Sequence, residues 1–259
     1  MKRNICIVGL AILLISVVLL AGCGAVVTST AGPANTKDYN FTDFNSIEIG
    51  YAFEMEVARA DTYSVTINAN ERDFEHIKVS QTGDKLEIGA DRLFFRLGRA
   101  PRVIITMPEL RELSMSGASE GRVMGFKSPV DFDLSLSGAS ELDMDMETGA
   151  FDCEISGPSE VRGTLTAANS HIELSGASQI ELMGSGGNVR IELSGACQAD
   201  LEDFAVNDAN IRFTGASSGS LEINGRLDVS LTGASELRYS GNPILGDLEI
   251  TGGSSLERR

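Results

Sequence analysis

The residues that could do chemistry in this sequence are few and mostly scattered. The 259 residues include two histidines, His76 and His171, four cysteines and no tryptophan. No CxxC or HxxxH spacing occurs, so a zinc site of the usual Cys/His kind has no framework. Gly117-Ala118-Ser119-Glu120-Gly121 and Gly215-Ala216-Ser217-Ser218-Gly219 match the G-x-S-x-G elbow of hydrolases. That elbow needs a helix after the serine and a histidine beside it. No helical period follows here, and both matches fall inside a longer repeat. Asp131-Phe132-Asp133 and Asp143-Met144-Asp145 alternate acid with apolar residue. Such pairs can bind Ca²⁺ or take part in polysaccharide cleavage. The plainer reading is a solvated outer face with Phe132 and Met144 turned inward. Arg92, Arg96, Arg99 and Arg102 surround Leu93-Phe94-Phe95 and Leu97. This basic cluster could touch anionic lipid or glycan; its plainer reading is a strand pair with the phenylalanines packed inside.

The element that must position these groups is a repeat. A Ser/Thr-Gly-small tripeptide followed by Ser or Cys occurs eight times, with its glycine at 117, 138, 157, 176, 195, 215, 233 and 252. The intervals are 21, 19, 19, 19, 20, 18 and 19 residues. Two and four residues before each glycine stand apolar side chains, such as Ile172 and Leu174 or Ile191 and Leu193. Polar residues occupy the places between, so the period is two, that of a strand with one buried face. A unit near 19 residues is too short for two packed helices and lacks a leucine-rich ladder. Short strands wound into stacked coils satisfy it, with equivalent residues about 4.8 Å apart. The expected fold is all-β: a right-handed, single-stranded parallel β-helix of about eight coils over residues 113–259. Glycine is expected at each corner because it takes positive φ without steric cost. The Ser two residues later, replaced by Cys197 in one coil, is expected to be buried. Cys153 and Cys197 lie two coils apart at different offsets, so both are expected to be free thiols.

Stacking has an electrostatic corollary. Glu154, Glu173 and Glu192 precede their glycines by three, and Glu120, Glu141 and Glu160 follow theirs by three. Each trio should form a column of like charge, unfavourable by up to about 1 kcal/mol per pair. Arg122, Arg162, Arg190 and Arg212 stand near enough to offset part of it. The plain reading of these ladders is a solubilising surface. The sharper one is a site for divalent cations or cationic partners, with the metal left unknown. No organic cofactor and no catalytic residue is expected.

Residues 39–112 lack the coil motif but carry strand patterns at Ser46–Ile49, Phe53–Val57, Tyr63–Asn68, His76–Ser80, Lys85–Ile88 and Arg102–Thr106. They read as a cap on the solenoid or as its irregular first turns. Residues 23–38 are small and polar and read as a flexible tether. Residues 1–22 open with Lys2-Arg3, run apolar from Ile5 to Leu20 and end in Leu20-Ala21-Gly22 before Cys23. This is the layout of an export signal; a retained membrane helix is the alternative, since the run barely reaches bilayer length. The Leu-Ala-Gly-Cys run resembles the lipobox of bacterial lipoproteins, which implies cleavage before Cys23 and a lipid on its thiol. Gly24 then implies the outer membrane in a two-membrane host.

The chain also resembles the bacterial auto-transporter adhesin family called the head GIN domain. The likeness rests on Phe44-Asn45-Ser46-Ile47, on Gly83-Asp84-Lys85-Leu86-Glu87-Ile88, and on Ile105-Thr106-Met107-Pro108-Glu109-Leu110 leading into Leu113-Ser114-Met115-Ser116-Gly117-Ala118-Ser119. It implies a surface-anchored β-helix without catalytic residues. The formal charge of −16 excludes a nucleic-acid binder, which needs clustered Lys and Arg. The expected function is therefore a lipid-anchored, extracytoplasmic binding, adhesion-like or structural module. Its partners would be the membrane through Cys23 and a polysaccharide or envelope protein. The rival readings are a polysaccharide lyase or hydrolase, and an envelope assembly or stress factor.

Overall fold

The computed structural model describes residues 34–91 and 100–259. The strands are β1 (Ala34–Tyr39), β2 (Ser46–Ile49), β3 (Glu54–Arg59), β4 (Ser64–Asn70), β5 (Ile77–Thr82), β6 (Lys85–Ala90) and β7 (Arg102–Met107). The repeat supplies β8 (Glu112–Met115), β9 (Glu120–Lys127), β10 (Phe132–Leu136), β11 (Glu141–Ile155), β12 (Glu160–Gly176) and β13 (Gln179–Gly195). It continues with β14 (Gln198–Val206), β15 (Ala209–Gly215), β16 (Ser218–Ile223), β17 (Arg226–Leu231), β18 (Glu236–Gly241), β19 (Ile244–Ile250) and β20 (Ser255–Arg258). All belong to one hydrogen-bonded sheet wound into a parallel β-helix of about eight turns.

Period-two patterning sets the interior. Cys153, Ile172, Ile191, Ile211 and Val229 pair in register and are buried, as are Ile155, Leu174, Leu193, Phe213 and Leu231. The eight corner glycines all have positive φ. The Gly carbonyl of one coil accepts the N–H that follows the next corner, as in Ala196 to Gly176 at 2.8 Å and Ala216 to Gly195 at 2.8 Å. Two residues on, Ser119, Ser140, Ser159, Ser178, Ser217 and Ser235 form the expected buried column. Each hydroxyl donates to the carbonyl three residues earlier, for example Ser178 to Ser175 at 2.7 Å. Cys197 makes the same contact to Ser194. Cys153 and Cys197 are buried free thiols.

The N-terminal segment is both cap and coil. β2 runs parallel to β8, and β3 parallel to β9, so they form a true coil beneath the first glycine-marked one. Its corner is Tyr51, held at φ 78°. Tyr51 accepts the Ala118 N–H as Gly117 accepts that of Ala139. A tyrosine there hides the coil from a motif search. From β3 the chain departs to β4 and β5, returns as β6 and β7 on the far side of β2 and β3, and only then enters β8. β4 and β5 pair antiparallel with β7 and β6 and close that end of the stack. One correction follows. Residues 34–38, placed in the tether by composition, form β1 together with Tyr39, on the edge of β4. Thr36 donates to Asn68 at 2.6 Å and Thr66 to Asp38 at 2.7 Å, so the polar character of this strand serves cross-strand bonds on an exposed edge. Leu248 and Ile250, which occupy interior positions of the repeat, are 45% and 40% exposed.

Candidate functional site

The stack turns each outward repeat position into a column. On one face the register runs Glu54, Glu120, Glu141, Glu160, then Gln179 and Gln198. The trio Glu120/Glu141/Glu160 is thus in line, and Glu54 of the hidden coil extends it. The neighbouring column alternates in sign: Glu56, Arg122, Asp143, Arg162, Glu181. Arg122 pairs with Asp143 at 3.3 Å, and Arg162 pairs with Glu160 and lies 3.7 Å from Glu181. Arg102 on β7 reaches Glu56 at 2.5 Å. Glu54, Glu56, Glu120, Glu141, Asp143 and Glu160 line a groove of about 360 Å³ with Arg102, Arg122 and Arg162. Six acids face three arginines there, so the groove carries excess negative charge. Sequence reasoning missed Glu54 and Glu56 in this role. Glu54 stands three residues after its corner, as Glu120 does, but Tyr51 conceals the corner.

The second face carries Glu154, Glu173 and Glu192 in register, followed by Arg212. Arg190 Nε donates to Glu192 at 2.6 Å. The column beside it reads Glu112, Asp133, Asp152, His171, Arg190. Burial and the carboxylates of Asp152, Glu112 and Asp131 raise the Asp133 pKa above the ordinary range. Glu112 is shifted down instead, chiefly because Lys85 donates to it at 3.0 Å and also because Ser46 donates at 2.8 Å. A further column, of asparagines, runs along a second bend. Asn169 accepts the Asn188 N–H, and Asn207 Nδ2 donates to Asn188 Oδ1 at 3.3 Å. Its 19-residue spacing was readable in the sequence.

Phe132 and Met144 point inward, leaving Asp131, Asp133, Asp143 and Asp145 outside. The serines of both G-x-S-x-G matches, Ser119 and Ser217, are buried and bonded to their own turns. Cys23 and the basic trio Arg92, Arg96 and Arg99 lie outside the described residues. Among the described residues no helix is long and apolar enough to cross a membrane.

Solved structures share this architecture. A "Putative lipid binding protein" from Parabacteroides distasonis ATCC 8503 superposes with a TM-score of 0.82 at 16% identity, covering 88% of this chain and 97% of that one. A "putative adhesin" from Parabacteroides merdae ATCC 43184 gives 0.80 at 18%, covering 88% and 97%. Another, from Bacteroides fragilis NCTC 9343, gives 0.64 at 17%, covering 88% and 97%. At these identities the likeness is one of fold. No curated protein matches the sequence. The coil register, the corner motif and a family model matching residues 43–243 agree, and the chain belongs to the family described as "Putative auto-transporter adhesin, head GIN domain".

Proposed function

We propose that this chain is a lipid-anchored, extracytoplasmic binding module whose contact surface is the groove over Glu54, Glu120, Glu141 and Glu160. The observation that carries the reading is the in-line column of carboxylates beside a column of alternating charge. Groups repeat about every 4.8 Å along a hydrogen-bonded scaffold, which suits an extended polymer more than a compact metabolite. Excess negative charge favours neutral or amino-bearing glycans over anionic ones. The lipid binding named for one structural relative does not transfer readily, because this groove is lined mainly by ionised side chains that would have to desolvate against an acyl chain. Cys23 supplies the anchor under this reading, and the adhesin family supports a cell-surface location.

Two experiments test it. In the native host, Cys23→Ser should move the protein from the membrane to the soluble fraction and abolish fatty-acid labelling; retention with label would refute the anchor. The soluble domain is then run against neutral, amino-bearing and acidic polysaccharides. Retention of the first two without cleavage, weakened at least tenfold in Glu120→Gln/Glu141→Gln, supports the binding surface. Released sugar would instead establish a polysaccharide-processing enzyme. No retention on any polymer would favour an envelope protein as partner.

A further inference from the structure

His171 stands where the two outer columns of the second face meet. Its Nδ1 lies 3.4 Å from Asp152 Oδ2, one coil below. Its Nε2 is shielded from solvent and makes no hydrogen bond. Glu173 Oε1 is only 3.1 Å from that nitrogen but fails the geometry of a bond to it. One ligand atom each from His171, Glu173 and Glu192 falls within 4.8 Å of the other two. In the tautomer whose Nδ1 proton faces Asp152, Nε2 offers its lone pair beside the Glu173 carboxylate, and a divalent cation can serve both.

We propose that His171, Glu173 and Glu192 form a binding site for a divalent transition-metal ion of the Zn²⁺ or Ni²⁺ type. The set is one imidazole nitrogen and two carboxylate oxygens, with Asp152 behind the ring as the orienting carboxylate. An imidazole ligand selects these ions over Ca²⁺ and Mg²⁺, which take oxygen alone. Arg190 holds Glu192 through Oε1 and fixes that carboxylate against its strand. Charge also balances. Asp152, Glu154, Glu173 and Glu192 against Arg190 and Arg212 leave two negative charges in the patch, which one divalent ion cancels. The backbone columns hold Glu173 and Glu192 about one strand spacing apart, so only side-chain rotation is needed to close the site. The polymer-binding groove is not involved, and the two readings stand or fall separately.

Isothermal titration of the full chain with Ni²⁺ and with Zn²⁺ tests this, with Ca²⁺ as the oxygen-seeking control. The expected result is one ion per chain, no comparable Ca²⁺ binding, and affinity at least tenfold weaker in His171→Gln and in Glu173→Gln. Asp152→Asn should weaken binding by about tenfold, the usual effect of losing an orienting carboxylate. His76→Gln, which removes the other histidine of the chain, should leave affinity unchanged. Circular dichroism establishes that each variant is folded. In proton spectra, Co²⁺ should broaden the ring signals of His171 before those of His76. Absence of binding to the wild type, equal affinity for Ca²⁺, or unchanged binding in His171→Gln would overturn the proposal.

Discussion

Gly157 turns its corner at φ 73°, and a Cβ there would stand 2.5 Å from the carbonyl oxygen of Gly138. Conformation and contact thus both demand glycine, because that carbonyl sits on the path of the next coil. Gly157→Ala is expected to lower stability by about 1–3 kcal/mol, read from the urea midpoint; an unchanged midpoint would contradict it. Tyr51 shows that the corner tolerates a side chain only where no standard coil lies beneath it. Burial pushes the Cys153 thiol well above its ordinary pKa. Both Cys153 and Cys197 should resist a thiol reagent in the native protein and react on unfolding. Modification at native rates would place them outside the core. The register of these two cysteines was readable from the repeat alone. The role of His171 was not, because nothing in its spacing says that Nε2 would lack a partner.

Strands within a coil trade volume. Gly219 lies against Phe213: a Cβ on Gly219 would meet the ring at 2.7 Å. Gly121 meets Met115 in the same way at 2.8 Å. Where the residue before the corner is Leu or Ile, as at Leu174 and Leu193, the partner after it is larger than glycine, namely Ile180 and Ala199. Gly219→Ala should cost about 1–3 kcal/mol by overpacking. Combining it with Phe213→Leu should recover part of that loss, with a coupling of about 0.5–3 kcal/mol in a double-mutant cycle. Strict additivity would deny the contact. On the outer side, the raised pKa of Asp133 marks a carboxylate that opposes folding when ionised. The penalty appears as pH rises past the unfolded-state carboxylate value and is complete above the raised folded value. Asp133→Asn should therefore stabilise by about 0.2–1 kcal/mol at pH 7 and by nothing once both states are protonated at low pH. Thermal melts at pH 7 and pH 3 check the sign. The irregular strands 39–112 were located by their alternation, but their order was not. Their pairing depends on a chain reversal beyond Arg59 that no local pattern encodes.

The described residues form a stack with antiparallel strands against its first coils and apolar interior positions in view in the coil of β19. Everything proposed for its faces rests on equivalent residues lying over one another. The charge columns, the groove and the closeness of His171, Glu173 and Glu192 all follow from that alignment. Periodicity made the alignment readable for residues 113–259, since a shift by one residue would have turned every interior side chain outward. Pulsed electron-electron distances measure it directly. Spin labels at Glu120 paired in turn with Gln198, Ser218, Glu236 and Ser255 span four, five, six and seven coil steps in one column. The distances should rise from about 19 Å to about 34 Å in even steps near 4.8 Å. Uneven steps, or a distance that fails to grow with coil number, would contradict the stacked register.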